Sequence, residues 1–286
     1  MIISISRRTD VPAFYTQWLQ HRFAEGWVQT VNPYNTKQRK LIYLDTQTVD
    51  GIVFWSKNPA PLLPLLPQFK NYPWYLQCTI TGYQTHLEPN IPAAENTAQS
   101  IRQIALHYGR ERVVWRYDPM LFGDQYTALW HAQNFARLCA LLAPYVSCCT
   151  ISFYDSYSFA DKRIAQLGLR PPLDEEVHET AALLSAHAAQ HGLGLYSCAE
   201  AYDLSYAGIL PGACIDTKRL SLFSSIPVFA SKDKNQRPAC GCAASVDIGA
   251  YNTCPGGCLY CYAVRSSATA VSNKKLQCDT SLFLGR

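Results

Sequence analysis

Seven short apolar runs recur along the chain, and they constrain its fold more than any other feature of the sequence. They span residues 2–6, 51–56, 74–81, 112–117, 148–153, 193–199 and 245–251. Continuous runs rich in β-branched and aromatic residues are typical of strands that are buried on both faces. The sequence therefore predicts a sheet whose two sides are both covered.

Helical patterns lie between several of these runs. Apolar residues recur at i, i+3, i+4 and i+7 within 101–108 and 135–142, and residues 177–188 present one apolar helix face. Alternating strands and helices predict an α/β fold with a parallel sheet. About seven such units in a chain of 286 residues predict a (β/α) barrel or partial barrel of about 6–8 parallel strands, with a doubly wound open sheet as the alternative.

The chain length fits a single domain. We expect residues 1–239 to form the barrel body and residues 240–286 to add a C-terminal strand and a cysteine-rich, cluster-binding segment to the same domain. No glycine-rich G-x-G-x-x-G segment or P-loop follows a predicted strand, which argues against nucleotide-binding folds of those types.

Composition and charge exclude several classes of protein. Apolar residues make up 48% of the chain and charged residues 16%, which excludes a disordered chain and a coiled coil. The net charge of +4 is too small to indicate nucleic-acid binding by itself. No apolar run approaches the roughly 18 residues that span a bilayer, and the N-terminus has no secretory signal. We therefore expect a cytoplasmic protein without a membrane partner.

Polar side chains directly follow five of the predicted strands. In parallel α/β folds the active site lies at the C-terminal ends of the strands, so these residues are expected to meet there. Taken one at a time, each could equally be a helix cap or a loop residue. The candidates for catalysis are Arg7, Arg8, Asp10, Lys57, Asn58, Arg116, Asp118 and Glu200.

Three cysteines near the C-terminus form a C-x3-C-x2-C pattern. Cys254, Cys258 and Cys261 could coordinate three irons of a cubane cluster from one short loop, which leaves the fourth iron open to an exogenous ligand. A zinc knuckle is the alternative, although zinc normally takes cysteines as C-x2-C pairs with four protein ligands.

This pattern, with an aromatic residue before the third cysteine, resembles the cluster motif of the radical S-adenosylmethionine (SAM) superfamily. The resemblance implies a [4Fe–4S] cluster on Cys254, Cys258 and Cys261, with SAM on the fourth iron. It also implies cleavage of SAM to a 5′-deoxyadenosyl radical that abstracts hydrogen from a substrate. Tyr260 and Tyr262 would lie near the adenine of SAM. An electron donor such as flavodoxin or ferredoxin is the implied partner, and the substrate class stays open between a small molecule, a peptide and a nucleic-acid lesion.

Two departures from that superfamily affect the site. The motif follows the last predicted strand rather than the first, as in a circular permutation. No Gly-Gly-Glu segment of the kind that often binds the SAM amine is present, so Arg7, Arg8 or Lys57 is the candidate for holding the SAM carboxylate.

The whole chain also resembles an uncharacterised bacterial family, domain-of-unknown-function family 1848. The similarity lies in Ser6-Arg7-Arg8-Thr9-Asp10, in residues 54–59 and in residues 247–263. That family implies no activity. The Cys-Tyr-Ala ending is also locally similar to the spore photoproduct lyase branch.

Four further cysteines are candidates for a second metal site, either an auxiliary iron–sulfur cluster or a zinc ion. They are Cys198, Cys214, Cys240 and Cys242. The remaining cysteines at 78, 139, 148 and 149 fall on predicted strands or a helix face, where packing in the core is expected.

Two alternatives to a radical enzyme stay open. One is a zinc-binding structural or nucleic-acid-binding protein without radical chemistry. The other is a barrel hydrolase or lyase that uses strand-end carboxylates such as Asp118 and Glu200, with a structural cluster.

Overall fold

Eight parallel strands form the sheet at the centre of the computed structural model, which describes residues 1–285. In chain order the strands are β1 (Ile2–Ile5), β2 (Trp27–Asn32), β3 (Asn35–Tyr43), β4 (Gly51–Ser56), β5 (Trp74–Thr79), β6 (Val113–Met120), β7 (Cys148–Phe153), β8 (Leu195–Ser197), β9 (Leu210–Pro211) and β10 (Ser245–Asp247). The sheet order is β10-β1-β4-β5-β6-β7-β8-β9, while β2 and β3 form a separate antiparallel hairpin.

Eight α-helices connect and flank the strands. They are α1 (Val11–Phe14), α2 (Thr16–Glu25), α3 (Ala94–Tyr108), α4 (Ala128–Leu142), α5 (Ser158–Ala165), α6 (Asp174–Gln190), α7 (Thr217–Ser221) and α8 (Ser267–Leu276). A proline-rich 3-10 helix, Ala60–Phe69, stands between β4 and β5. No helix within residues 1–285 has the length and apolar character needed to cross a membrane.

The expectation of an α/β fold with a parallel sheet is confirmed. All seven predicted strands are present in the large sheet, and each pairs in parallel with its neighbours. From β1 to β9 the strand order follows the chain without reversal, whereas a doubly wound sheet reverses its order at a switch point. Closure of the sheet into a barrel stays a prediction.

The two faces of the sheet have different coverings because successive strand side chains point to opposite sides. One face carries residues such as Ile3, Phe54 and Trp115, which pack with the helices in the main core. The other face carries Ile2, Val53, Tyr75, Val114 and Cys148. Residues from segment 214–243, among them Ile215 and Leu220, cover that second face.

The C-terminal strand β10 lies beside the N-terminal strand β1, with Ser4 in register with Asp247. The Asp247 carboxylate accepts hydrogen bonds from the Ser4 hydroxyl at 3.0 Å, the Arg7 backbone N–H at 2.8 Å and the Ser6 hydroxyl. These bonds fix the start of the following loop at the C-terminal ends of β1 and β10.

Candidate metal centre

The cysteine loop, residues 254–261, follows β10 and packs against the segment that follows β5. Asn90 donates from its side chain to the Pro255 carbonyl at 2.9 Å, and the Leu259 N–H donates to the Leu87 carbonyl at 3.0 Å. Gly257 has a φ of +75°, and a Cβ there would meet the Pro89 side chain at 2.9 Å. Only glycine combines that backbone conformation with so close an approach.

Two of the three thiols of this loop have backbone N–H groups beside them. The Ala263 N–H donates to Cys261 Sγ at 3.3 Å, and the N–H groups of Asp10 and Gly256 face the Cys254 sulfur. Burial raises the pKa of Cys254 to about 12 and raises the pKa of Cys258 well above its ordinary value. A cation or metal is therefore required to hold them as thiolates near neutral pH. Hydrogen bonds to sulfur are also a means of tuning an iron–sulfur cluster.

Lys57, at the end of β4, lies next to this loop and is paired with Glu88. The Lys57 Nζ–Glu88 Oε1 distance is 2.8 Å, and the same carboxylate accepts the hydroxyls of Thr81, at 2.9 Å, and Tyr260. Burial opposes the charge on Lys57, but the negative charges of Glu88 and Cys258 outweigh it and raise the pKa of Lys57. Glu88 was not among the residues expected from the sequence, because it lies nine residues beyond the end of β5 (88 − 79 = 9).

Asp10 connects the ends of β1 and β4 and caps α1. Its carboxylate accepts from the Ser56 hydroxyl at 2.7 Å, the Lys57 N–H at 2.8 Å and the Ala13 N–H at 3.0 Å. Burial raises the pKa of Asp10 to about 6. Since the Asp10 carboxylate already accepts three hydrogen bonds from the protein, it serves to position Lys57.

The second face of the sheet, which segment 214–243 covers, is called the covered face here. It carries Arg116, Trp55 and Arg7. The Arg116 guanidinium pairs with Asp118, with Nε 2.9 Å from Oδ2. It lies 5.4 Å from the Trp55 ring centre, and Arg7 lies 6.0 Å from the same ring. The Trp55 indole N–H is buried and has no partner among the described residues. Two cations therefore flank one indole ring on this face.

Glu200 follows β8 and faces Asp118. Its carboxylate accepts the Phe153 N–H at 2.9 Å. Burial, with the neighbouring carboxylates of Asp155 and Asp118, raises the pKa of Glu200 to about 8. Glu200 is therefore largely protonated at neutral pH and can act as a hydrogen-bond donor.

Comparison with known families and structures assigns the family of the chain. The family described as "Domain of unknown function (DUF1848)" matches residues 2–263. The chain belongs to this family. Its description carries no activity, so membership confirms the whole-chain resemblance and leaves the radical SAM assignment as a proposal.

The other comparisons add no functional argument for this DUF1848 member. No curated protein matches the chain. One solved structure with some similarity comes from Bacteroides thetaiotaomicron VPI-5482 and is provisionally described as an alpha-L-fucosidase. It is 11% identical, the match covers 63% of this chain and 73% of that one, and the TM-score is 0.27. A TM-score this low supports no conclusion about fold or function.

Three further candidate residues make structural contacts. Arg8 stacks over Tyr251 at 5.0 Å, and Asn58 accepts the Ala60 N–H at 3.4 Å as a turn residue. The Tyr262 hydroxyl donates to the Arg7 carbonyl at 2.6 Å, which ties the cysteine loop to the end of β1. Two shallow surface depressions, along α8 and the residues after it, contain none of the candidate residues.

The remaining cysteines divide into core and clustered residues. Cys78, Cys139 and Cys149 are buried in the main core, as predicted, and Cys148 packs on the covered face of the sheet beside Arg219. The other four, at 198, 214, 240 and 242, lie close together on that same face. Within residues 1–285, no three His, Cys, Asp or Glu side chains already stand around a common point where a metal ion could sit.

Proposed function

We propose that this DUF1848 member is a radical SAM enzyme in which Cys254, Cys258 and Cys261 hold a [4Fe–4S] cluster. The observation that carries the proposal is the convergence of this C-x3-C-x2-C loop with Lys57 and Glu88 at the C-terminal ends of the strands. When bound, the cluster would supply the electron that cleaves SAM to a 5′-deoxyadenosyl radical, which removes a hydrogen atom from the substrate.

The residues present suit such a cluster. Three soft thiolate donors come from one loop, as iron–sulfur clusters require, and backbone N–H groups surround the sulfurs of Cys254 and Cys261. The cationic Lys57 lies beside Cys258 and offsets part of the negative charge of the thiolates. A closed zinc site needs four protein ligands, and this loop supplies three cysteines, so the open-iron assignment is favoured.

The protein's own side chains have distinct roles in this proposal. Arg7 is the cation available to a carboxylate of SAM or of the substrate, since it flanks Trp55 on the covered face while Arg116 is already paired with Asp118. The Trp55 indole N–H offers a donor to the same ligand. Glu200, which follows β8, is the proposed donor of a hydrogen bond or a proton.

We further propose that the sheet curls into a partial barrel around these groups. Its strand order without reversal supports this, as does the covering of one face by segment 214–243. Such an enclosure would exclude water from a reactive intermediate. Flavodoxin or ferredoxin stays the proposed electron donor.

Anaerobic purification followed by iron analysis and low-temperature EPR tests the proposal. We expect about four irons per chain and an EPR signal of the reduced protein that changes when SAM is added. The triple variant C254S/C258S/C261S should lose that iron and signal, while the exposed-site control C278S should keep both. Zinc without iron, or an iron signal indifferent to SAM, would overturn the radical assignment and favour a structural site.

A further inference from the structure

Four cysteines outside the cysteine loop converge on the covered face of the sheet, although they are far apart in sequence. Cys198 follows β8, Cys214 precedes α7, and Cys240 and Cys242 precede β10. The Sγ atoms of Cys198 and Cys214 are 3.0 Å apart. Cys214, Cys240 and Cys242 lie in one buried cluster, and Cys198 packs against it.

The residues around these four cysteines provide the kind of support that a metal site needs. The Ile215 N–H donates to Cys242 Sγ at 3.4 Å, and Arg116 Nη1 lies 2.8 Å from Cys214 Sγ. The Cys214 carbonyl accepts from the Tyr75 hydroxyl at 2.7 Å and from the Gln77 amide at 2.9 Å. Partners of this kind orient metal ligands and hold them in place.

We propose that Cys198, Cys214, Cys240 and Cys242 bind one zinc ion as a closed tetrahedral site. Four cysteine ligands are typical of structural zinc, with zinc–sulfur distances of about 2.3 Å. As the four zinc–sulfur bonds form, the four thiols release their protons to solvent. The resulting site carries two net negative charges, and the guanidinium of Arg116 beside Cys214 offsets part of them.

The spacing of the Cys198 and Cys214 sulfurs is closer to that of a zinc site than to that of a cubane cluster. Sulfurs around a tetrahedral zinc lie about 3.8 Å apart, so Cys198 and Cys214 need to separate by only about 0.8 Å from their present 3.0 Å. Their direct contact also explains why the sulfurs do not already surround a common point. A cubane cluster needs a wider spread because iron and sulfide atoms lie between its cysteines. A disulfide would require about 2.05 Å.

The zinc site would attach the covering segment to the sheet. Its ligands come from the end of β8, from the loop before α7 and from the segment that leads into β10, so one ion joins three parts of the chain. Through Arg116 it also fixes the partner of Asp118. This role is independent of the cysteine loop and of the proposed radical chemistry.

The test uses the full chain carrying C254S/C258S/C261S, so that iron at the cysteine loop cannot contribute. We expect about one zinc per chain by elemental analysis, with X-ray absorption giving four sulfurs at about 2.3 Å. Adding C240S/C242S should lower the zinc content at least tenfold under chelator competition. Adding C148S instead, at a buried thiol on the same face, should leave it unchanged.

The zinc site would be overturned by a parent variant that folds without zinc, by a Cys198–Cys214 disulfide in the intact mass, or by about four irons in that parent. X-ray absorption on the parent decides the ligands even if C240S/C242S does not fold: nitrogen or oxygen neighbours in place of sulfur would also contradict the proposal. Since the three cysteines of the loop are replaced by serine in every sample, failure of the radical assignment leaves this result unaffected.

Discussion

Lys57 and Glu88 form a buried ion pair that connects the end of β4 with the segment after β5, with Nζ 2.8 Å from Oε1. The same carboxylate accepts the hydroxyl of Tyr260, which lies between Cys258 and Cys261. One carboxylate therefore joins the sheet to the cysteine loop. A change at Glu88 should affect both the stability of the fold and the retention of metal.

The variant Glu88→Gln should be destabilised by about 3–5 kcal/mol, because it leaves the Lys57 ammonium buried without its counter-charge. Only 7% of the Glu88 side chain and 15% of the Lys57 side chain are exposed, so water cannot replace the lost partner. Urea denaturation at neutral pH measures the free energy of unfolding.

The matched control is Glu95→Gln, which breaks the exposed ion pair of Glu95 with Arg137. That change should cost no more than about 1 kcal/mol, because surface pairs contribute little. Equal losses in the two variants would contradict the importance of the buried pair.

Gly249→Ala should disturb the junction between β1 and β10. A Cβ at Gly249 would lie 2.1 Å from the Ser6 hydroxyl oxygen, and Ser6 is itself bonded to Asp247. We expect a loss of about 1–3 kcal/mol in the free energy of unfolding, as for other overpacked sites, together with a lower iron content. Gly194→Ala is the control, since its Cβ meets nothing closer than 3.6 Å. A control as unstable as the test variant would show that the loss is not specific to this junction.

The strands of the large sheet could be predicted from the sequence because burial on both faces makes them apolar runs. The hairpin of β2 and β3 was not predicted. Most of β3 is exposed and its residues 37–40 are polar or charged, so it lacks the apolar pattern on which the prediction relied. Strand β9 has two residues, Leu210 and Pro211, and is too short to give a pattern at all.

The candidate site was predictable where its residues are close in sequence or directly follow a strand. The spacing of Cys254, Cys258 and Cys261 indicates one loop, and strand-end residues such as Lys57 follow from the general geometry of parallel sheets. The contact of Cys198 with Cys214 depends on how segment 214–243 folds back over the sheet, which no spacing encodes. Glu88 was missed for the same reason, because its contact with Lys57 depends on how the chain folds after β5.

Stability should fall below pH 6.5 because of His131. This residue is fully buried, and its ring accepts from the Tyr117 hydroxyl and donates to the Leu121 carbonyl, both at 2.9 Å. Those bonds fit the neutral ring, and burial lowers the pKa of His131 from 6.5 to about 4. The unfolded chain therefore binds the proton more readily, and the stabilisation present above pH 6.5 is lost as the pH falls towards 4.

Urea denaturation between pH 7.5 and 4.5 measures this effect by comparison with His131→Gln. The difference in unfolding free energy between the two proteins should shrink by about 2–3 kcal/mol over that range. A difference that stays constant with pH would show that His131 does not account for the acid sensitivity.

Arg163 should control how firmly the cysteine loop holds its metal. From α5 its guanidinium donates to the Cys261 carbonyl at 2.9 Å and to the Val264 carbonyl at 3.1 Å, so it fixes the backbone at Cys261 and just after it. Arg163→Met keeps the apolar stem and removes both bonds. Because partners that orient ligands typically contribute 10–100-fold to metal affinity, we expect iron to be lost about that much more readily to a chelator. Arg170→Met, which breaks a surface pair with Glu176 and a bond to the Pro171 carbonyl, should retain iron as the unmodified protein does, and equal loss in both variants would exclude this role for Arg163.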